Sequence, residues 1–437
     1  MSKRNDDFFD SKKDWSRVKD TLLASYLPVY FAKVIHTKKP IVYIDCFAGA
    51  GKFGDGEDGS PRIALKERNS AIEHSSRDDA KIDMYFIDPI YADALTTNIA
   101  DLIRADGHGV VKVIKGTYEE SVPKILSSVT DANVFLYVDP FGIKYLGNRI
   151  FANACANFKG NVELLLNLNS FGFIREACRV TGAEYYGEHV DLEERDESVL
   201  ETTSAAEELL TAIAGGDYWK GIIEAYRQDR SAAPNPSLTA EKNFSSAYRC
   251  SLSQACDGPF RYVLDIPIRI KKGSYPKYRM VYGTNHPDGC IAMADNMIRR
   301  ADELYTEIQS GGQMSLFPTD VNQELTVPVP LLRERLLSII DRRSDNIEEQ
   351  FCKAIGKPVT KTFSMSVRLH QLLADFFCEY GVVCKRSDLV ASLRNLETDG
   401  VIVVDRDPAQ TEKGKPSKFW SEDNHQTVWV RRKGDRV

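Results

Sequence analysis

Short apolar segments alternate with helix-like segments through the first part of the chain. Five of the apolar segments are rich in β-branched residues and predict buried strands, at 41–45, 84–88, 110–114, 134–138 and 162–168. The intervals carry apolar residues at helical spacing, for example at 92–105 and 121–128, and a helix over 15–35 precedes the first strand. This alternation predicts an α/β fold with a doubly wound, mostly parallel sheet.

The pattern changes after the fifth strand. Residues 172–240 predict acid-rich helices with no strand among them, which we interpret as a helical insertion that caps the sheet. Apolar segments at 262–268 and 278–282 then predict a closing antiparallel pair, and a helix over 290–309 follows. The first domain is therefore expected to span residues 1–309.

A second domain is predicted near the carboxyl end. Residues 310–328 lack periodicity and contain glycines and prolines, so we interpret them as a linker. Helical segments follow, and then strands at 401–404 and 427–430. Helices before a two-stranded hairpin are typical of a winged helix-turn-helix domain, which is expected over 329–437. Its basic residues are predicted to contact nucleic-acid phosphates, although a winged helix that binds protein fits nearly as well. The predicted phosphate contacts are Lys385, Arg386, Lys413, Lys415 and Lys418.

The bulk composition limits the compartment and the partners. The chain of 437 residues is 43% hydrophobic and 27% charged, with a net charge of −6, so nucleic-acid contacts would need a local basic patch. Its nine cysteines form no C-x-x-C pair, which argues against a zinc site and suggests reduced thiols. The sequence shows no signal peptide and no membrane-length apolar segment, so we expect a cytoplasmic protein without membrane contact.

The end of the first strand carries the features of a nucleoside-type cofactor site. Asp45 closes the strand, and Gly49 and Gly51 follow in a turn where the backbone can approach a ligand closely. The G-x-G-x-x-G spacing completed by Gly54 is weak evidence for a dinucleotide site, because the acid of the next strand comes too late. Phe53 stands where a P-loop needs a hydroxyl residue. An ordinary strand-to-helix turn is the simpler alternative.

Other strand ends add candidates to this site. Asp88 ends the second strand, where a carboxylate would bind a ribose diol. Thr117 follows the third strand in the predicted adenine loop. Lys19 on the first helix could reach the cofactor, although the pattern slightly favours a solvated surface lysine. The predicted cofactor-binding residues are Asp45, Phe47, Gly49, Gly51, Asp88, Thr117 and Lys19.

The arrangement D-x-F-A-G-x-G at 45–51 resembles the first motif of S-adenosylmethionine-dependent methyltransferases. The resemblance implies S-adenosylmethionine as cofactor and a methyltransferase-like (Rossmann-like) sheet. Cytosine-C5 methyltransferases begin in a similar way, but they need a nucleophilic cysteine after a proline. No cysteine of this chain follows a proline, so that class is rejected.

The most specific motif is Asp139-Pro140-Phe141-Gly142 at the end of the fourth strand. Methyl transfer to an exocyclic amine requires the amine to be held in line with the donor methyl. Asp139 and the carbonyl of Pro140 could each accept an amine N–H, and Phe141 could stack on the base. The motif resembles the D-P-P-Y of amino methyltransferases, and more closely the D-P-F-G of tRNA guanine-N2 dimethyltransferases, which makes adenine-N6 a less secure target.

Over roughly residues 15–317 the chain resembles the three-Cys-motif partner protein family, TcmP. The resemblance rests on Trp15 to Lys19, Tyr26-Leu27, Tyr43 to Gly51, Asp58 to Pro61, Asp139 to Gly142 and Thr284 to Gly289. It implies a methyltransferase-like fold and a partner protein that carries a three-cysteine motif. The winged helix is found attached in some members. The family name records an association and implies no proven reaction.

The predicted linker contains a further motif, Gln313-Met314-Ser315-Leu316-Phe317. It is similar to the peptide by which bacterial DNA enzymes bind the sliding clamp. Gln313 would make directional hydrogen bonds, and Leu316 and Phe317 would enter an apolar pocket. The alternative is that Leu316 and Phe317 pack back on the first domain.

Together these features predict an S-adenosylmethionine-dependent methyltransferase. Its acceptor would be an exocyclic amino group of a base in DNA or RNA, positioned by Asp139, Pro140 and Phe141. The alternative from another class is a non-catalytic methyltransferase-like module that senses the cofactor or scaffolds the three-cysteine partner.

Overall fold

The fold is seen in a computed structural model of the chain. The structure describes residues 12, 14–104, 107–140, 142, 143, 146, 155, 158–185, 203–228, 235–268, 276, 278–310, 327–354 and 365–433. These residues belong to two compact units. The first unit comprises the chain up to residue 285 together with 300–310, and the second comprises 286–299 and the chain from 327 onward.

A seven-stranded sheet forms the centre of the first unit. Its strands are β1 (Ile41–Asp45), β2 (Asp83–Ile87), β3 (Val111–Ile114), β4 (Asn133–Val138), β5 (Asn161–Leu168), β6 (Tyr262–Ile268) and β7 (Tyr278–Thr284). The order across the sheet is β3-β2-β1-β4-β5-β7-β6. Strand β7 runs in the direction opposite to the other six strands. The predicted doubly wound, mostly parallel sheet is confirmed.

Eight helices cover the two faces of this sheet in the described part of the first unit. They are α1 (Asp14–Ile35), α2 (Ser60–Glu73), α3 (Ala92–Ile99), α4 (Tyr118–Ser128), α5 (Ser170–Thr181), α6 (Thr203–Ala214), α7 (Trp219–Gln228) and α8 (Pro236–Leu252). Helices α4 to α8 share one apolar cluster with β1, β4 and β5, in which Phe173 stacks on Phe244 at 4.0 Å between ring centroids. The described parts of the predicted insertion are mainly helical, as expected, and they pack on one face of the sheet.

The opposite face is covered by α1. Tyr43 on β1 stacks on Phe135 of β4 at 5.9 Å, and Tyr26 of α1 lies 5.9 Å from the same ring. The hydroxyl of Tyr26 also donates to Glu163 on β5 at 2.8 Å. Because alternate residues of a strand share a face, Asp45 and Asn167 lie on the same face as Tyr43 and Glu163. Pro28 lies inside α1, which runs through it without a break.

The prediction of reduced thiols is wrong for one cysteine pair. Cys250 near the end of α8 is disulfide-bonded to Cys256, which lies in the short 3₁₀ turn that follows, and their Cα atoms are 5.7 Å apart. The turn reverses the chain and brings the two residues together. No helix in the described part of the chain is both long and apolar enough to cross a membrane. The cytoplasmic location stays a prediction.

The second unit combines helices with a small antiparallel sheet. Its elements are the first part of α9 (Pro287–Ser310), then α10 (Val329–Ala354), β8 (Val367–Arg368), α11 (Leu369–Tyr380), α12 (Arg386–Thr398), β9 (Ile402–Asp407) and β10 (Thr427–Arg432). The strand order is β8-β10-β9. The sequence prediction placed all of α9 in the first domain, whereas residues 286–299 pack with the second unit: the amide of Arg386 donates to Asp295 at 2.9 Å.

Candidate functional site

The predicted glycine turn and the acid of the second strand meet at the carboxyl edge of the sheet. The amide of Gly49 donates to Oδ2 of Asp88 at 3.0 Å. The other oxygen of Asp88 accepts from the amides of Ile90 at 2.8 Å and Tyr91 at 2.6 Å. The carboxylate thus joins the turn after β1 to the turn after β2. It uses three of its roughly four acceptor positions, and the residue is 1% exposed.

Gly51 is required by packing as well as by backbone conformation. Its φ is +75°, and a Cβ built there would lie 2.6 Å from Cδ1 of Leu95 on α3. Its carbonyl accepts from the amide of Gly59 at 3.0 Å, so the turn folds back onto the start of α2. The glycine at position 51 therefore lets this turn pack closely against α3 and the start of α2.

Gly51→Ala is expected to lower the free energy of unfolding by about 2–4 kcal/mol, from the left-handed backbone and the overpacking against Leu95. Gly56→Ala is the matched control, because Gly56 also has a positive φ of +89° but nothing within 4 Å of a built Cβ. The control should cost about 1 kcal/mol. Denaturant unfolding measures both, and equal losses would contradict the packing role of Gly51.

Asp45 is fully buried at the end of β1. Its Oδ2 accepts from the hydroxyl of Ser60 at 2.7 Å, and its Oδ1 accepts from the amide of Phe47 at 3.3 Å. Burial raises the pKa of Asp45 to about 8, and the negative charge of Asp139 adds to the rise. Asp45 therefore supports the turn and the start of α2 in a largely protonated form at neutral pH.

Asp139 and Lys19 form a pair that the sequence did not predict. The ammonium of Lys19 donates to both carboxylate oxygens of Asp139 at 2.7 Å and lies 5.2 Å from the ring centroid of Tyr278. Lys19 is 5% exposed, so the solvated alternative is wrong. The side-chain amide of Asn167 also donates to Oδ1 of Asp139 at 2.7 Å, and the hydroxyl of Tyr137 donates to its Oδ2 at 3.4 Å.

The remaining predicted residues of the first unit lie around this edge. Pro140 is buried, whereas Phe141 lies outside the described residues. The ring of Phe47 packs against Tyr118 at 5.0 Å between centroids. Thr117 is exposed and precedes the first turn of α4. Whether Phe47, Thr117 and Lys19 contact a cofactor stays a prediction.

Sequence reasoning missed three polar residues of this site. Asp20 is buried one position beyond Lys19, and Lys12 lies 2.7 Å from it. Burial raises the pKa of Asp20 to about 6 despite the nearby ammonium. Asn167 is 2% exposed. Its signal in the sequence is an amide near the end of a mostly apolar strand. Lys12 and Asp20 had no signal, because Lys12 is also held by Asp55 and Asp58 in the loop before α2, a contact between distant segments.

The predicted nucleic-acid contacts lie on the second unit. Lys385 precedes α12 and is exposed, and Arg386 is the first residue of that helix. Lys413, Lys415 and Lys418 are exposed in the segment between β9 and β10. The predicted clamp-binding residues Gln313, Leu316 and Phe317 lie outside the described residues. Within the described ranges, no group of three or more His, Cys, Asp or Glu side chains could hold a metal ion.

Comparison with known proteins gives distant structural matches only. No protein-family model matches the chain, and no curated protein sequence matches it. The fold is similar to that of an antibiotic-related methyltransferase (17% identity, 32% of this chain and 63% of that chain, TM-score 0.20). Another match is a spermidine synthase in complex with the transition-state analogue AdoDATO (9% identity, 74% of each chain, TM-score 0.30). A third is the plantazolicin methyltransferase BamL with SAH (10% identity, 64% of this chain and 90% of that chain, TM-score 0.29). At TM-scores this low the matches decide neither activity nor family, so the resemblance to the three-Cys-motif partner family stays a prediction.

Proposed function

We propose that the first unit is an S-adenosylmethionine-dependent methyltransferase that acts on an exocyclic amine of a nucleic-acid base. The observation that carries the proposal is the hydrogen bond between Gly49 and Asp88, which closes the glycine turn and the second-strand acid into one edge. Asp139 directly follows β4, which pairs with β1 on the side away from β2. Ligands of open α/β sheets bind at the carboxyl ends of the strands, where these residues lie.

The residues at this edge fit the cofactor. Gly49 and Gly51 have φ values of +60° and +75°, which glycine adopts without strain, so the turn can take the tight conformation that a nucleoside site at a strand end needs. Asp88 would use its remaining acceptor position for a ribose hydroxyl. When bound, S-adenosylmethionine would supply a methyl group on a sulfonium, which a nitrogen lone pair can attack. Gly49, Gly51, Asp88 and Phe47 would hold it.

Asp139 would position the acceptor. Its side chain is 21% exposed, and Lys19 and Asn167 hold it in place. Lys19 fixes the orientation of the carboxylate, since it donates to both oxygens. A carboxylate oxygen accepts an amine N–H and directs the nitrogen lone pair, and it takes no methyl itself.

Two measurements test this proposal. Titration calorimetry with S-adenosylmethionine should show saturable binding to the full chain. A labelled-methyl assay across total DNA, total RNA and the three-cysteine partner protein should then place the label on nucleic acid. Binding followed by label on the partner protein alone would assign a protein acceptor, and no binding at all would overturn the proposal.

A second candidate function is a non-catalytic module that senses the cofactor. The observation in its favour is the occupancy of Asp139, whose two oxygens already accept from Lys19 and Asn167. A site of this kind would bind S-adenosylmethionine but transfer its methyl to no acceptor. The labelled-methyl assay separates the two functions.

We also propose that the second unit is a winged helix that binds nucleic acid. The order of its elements from α10 onward is helix, strand, helix, helix, strand, strand, and residues 381–385 form the turn between α11 and α12. Gly381 in that turn has a φ of +81°, as expected for the tight turn between two such helices. Helix α12 and the segment between β9 and β10 would contact the nucleic acid.

Replacing the three lysines of the β9–β10 segment with glutamine is expected to weaken binding to a DNA or RNA duplex. The slope of log K against log salt should become shallower by about 2–3, because each neutralised phosphate contributes about 0.9. Fluorescence anisotropy at several salt concentrations measures the slope. The matched control replaces three exposed lysines of the first unit with glutamine, namely Lys38, Lys81 and Lys112. Equal slopes for the two triple variants would contradict the proposal.

The remaining partners are proposed from the sequence. A three-cysteine-motif protein would associate with the chain, and residues 313–317 would bind the DNA sliding clamp. A peptide spanning 310–320 should bind the clamp in a titration, and its Leu316→Ala, Phe317→Ala variant should not. The absence of titratable binding by the first peptide would refute the clamp proposal.

A further inference from the structure

Two cysteine thiols lie side by side in the second unit. Cys290 is on the first part of α9, Cys378 is on α11, and their sulfur atoms are 3.9 Å apart. They are 88 positions apart in the sequence, and neither takes part in a disulfide. Their proximity therefore results from the packing of the two helices, and the function proposed above makes no use of it.

The packing of α9 on α11 is fixed by contacts along the same helix face. His370, Ala374 and Cys378 follow one another at four-residue spacing, so they share one face of α11. Nδ1 of His370 lies 2.5 Å from Oδ1 of Asp288 on α9. The thiol of Cys290 donates to the carbonyl of Ala374 at 3.8 Å. Contacts at three successive turns of α11 thus hold the two thiols next to each other.

The separation and the exposure of the two thiols suit disulfide formation. A disulfide has a sulfur–sulfur distance of about 2.0 Å, so the two atoms need to approach by about 1.9 Å, which side-chain rotation and small helix shifts can supply. Cys290 is fully buried, whereas Cys378 is half-buried. A dissolved oxidant therefore reaches Cys378 first, and Cys290 is the neighbouring thiol that can resolve the product.

We infer that Cys290 and Cys378 form a redox site that a hydroperoxide converts from a dithiol to a disulfide. The thiolate of Cys378 attacks the terminal oxygen of the hydroperoxide. The O–O bond breaks, the sulfur becomes a sulfenic acid, and the alkoxide takes up the thiol proton and leaves as an alcohol. The thiol of Cys290 then attacks the sulfenic sulfur, and the S–S bond forms while hydroxide takes up the second thiol proton and leaves as water.

The reaction balances as two thiols oxidised to one disulfide and one hydroperoxide reduced to one alcohol and one water. With hydrogen peroxide the alcohol is a second water. A dithiol reductant reverses the step by thiol–disulfide exchange and is itself oxidised to a disulfide. In a reducing compartment the bond would therefore form only during oxidation, as expected of a sensor.

The disulfide would join α9 to α11 and close a long loop of the chain between them. Cross-links of this kind restrict the unfolded chain, which stabilises the folded state. The oxidised chain should therefore unfold at a higher denaturant concentration than the reduced chain. The reaction concerns a different part of the chain from the proposed methyl-transfer site, so the two proposals are tested separately.

Peptide mapping of the oxidised full chain tests the redox site. The chain is reduced with dithiothreitol, freed of the reductant and treated with a small excess of hydrogen peroxide. Trypsin and Glu-C then digest it without reduction, and Glu-C cleaves after Glu379, which separates Cys378 from Cys384. Mass spectrometry should find the peptides of Cys290 and Cys378 joined as the main disulfide between peptides, and dithiothreitol should release them.

Cys384→Ser is the matched control. Cys384 lies just beyond α11 and is 6% exposed, and burial raises the pKa of its thiol to about 12, so it reacts slowly. The control should keep the joined peptides and the shift in unfolding, whereas Cys378→Ser should lose both. Thermal melts establish that each variant is folded, and Cys290→Ser replaces Cys378→Ser if the latter is not.

Three results for the wild-type chain would overturn the inference. One is a main disulfide that joins other cysteines. Another is oxidation of Cys378 to a sulfinic acid with no link to Cys290. The third is a chain in which both thiols stay reduced in excess hydrogen peroxide.

Discussion

Asp139→Ala should lower the rate of methyl transfer by at least about 100-fold, because the acceptor amine loses the group that orients it. Affinity for S-adenosylmethionine should change far less, since Phe47, Gly49, Gly51 and Asp88, which are proposed to hold it, lie in the turns after β1 and β2. A labelled-methyl assay and titration calorimetry measure the two quantities separately. A variant that transfers methyl at the wild-type rate would remove Asp139 from the mechanism.

The alanine variant also leaves the ammonium of Lys19 without its partner. Lys19 is buried and Asp139 is partly exposed, so we expect a loss of stability of about 1–3 kcal/mol, below the cost for a fully buried pair. Asp139→Asn keeps an oxygen acceptor for Lys19 and should recover part of that stability. Asp78→Ala is the control, because Asp78 is exposed in a turn outside the strands and helices. It should change neither the rate of methyl transfer nor the stability.

Asp45→Asn should stabilise the protein, and more so as the pH rises. Burial raises the pKa of Asp45 in the folded protein to about 8, whereas an unfolded aspartate has a pKa near 3.9. Below about pH 4 both states are protonated, and the neutral carboxyl contributes its full stability. Between about pH 4 and pH 8 the unfolded chain loses the proton first, so the contribution of Asp45 to stability falls as the pH rises.

The gain from Asp45→Asn should therefore grow by roughly 3 kcal/mol between pH 5 and pH 8, at up to about 1.4 kcal/mol per pH unit. Denaturant unfolding of the wild type and the variant at each pH measures the difference. Asparagine can still accept from the amide of Phe47 and pair with Ser60, so the local structure is retained. Asp78→Asn, at an exposed position, is the control for the same substitution outside the site. A gain that does not depend on pH would mean that Asp45 is ionised in the folded protein.

The strands were predictable because apolar segments, which indicate burial, are followed in the sequence by residues that typically end a strand. The bounds of β1 agree with the prediction at both ends, since a run of β-branched residues is closed by Asp45. The meeting of Asp45, Gly49 and Asp88 was also predictable. Parallel neighbouring strands bring their carboxyl ends to one edge, and the hydrogen bond from Gly49 to Asp88 is the result.

Contacts between distant segments could not be predicted. Lys19 and Asp139 are 120 positions apart, and their pairing depends on how α1 crosses the sheet. An amphipathic pattern shows that a helix buries one face but not which partner receives it. For the same reason the helices of the predicted insertion could not be assigned to a face of the sheet, and α9, which has no break, could not be divided between the two units.

The central claim is that S-adenosylmethionine binds at the turn after β1 and the turn after β2. Hydrogen–deuterium exchange of the full chain, with and without S-adenosylmethionine, tests it most directly. We predict slower exchange in peptides that cover 45–52 and 86–92, whose amides form the two turns joined by Asp88. Unchanged exchange in both peptides at a saturating concentration, or protection confined to other parts of the chain, would contradict the account.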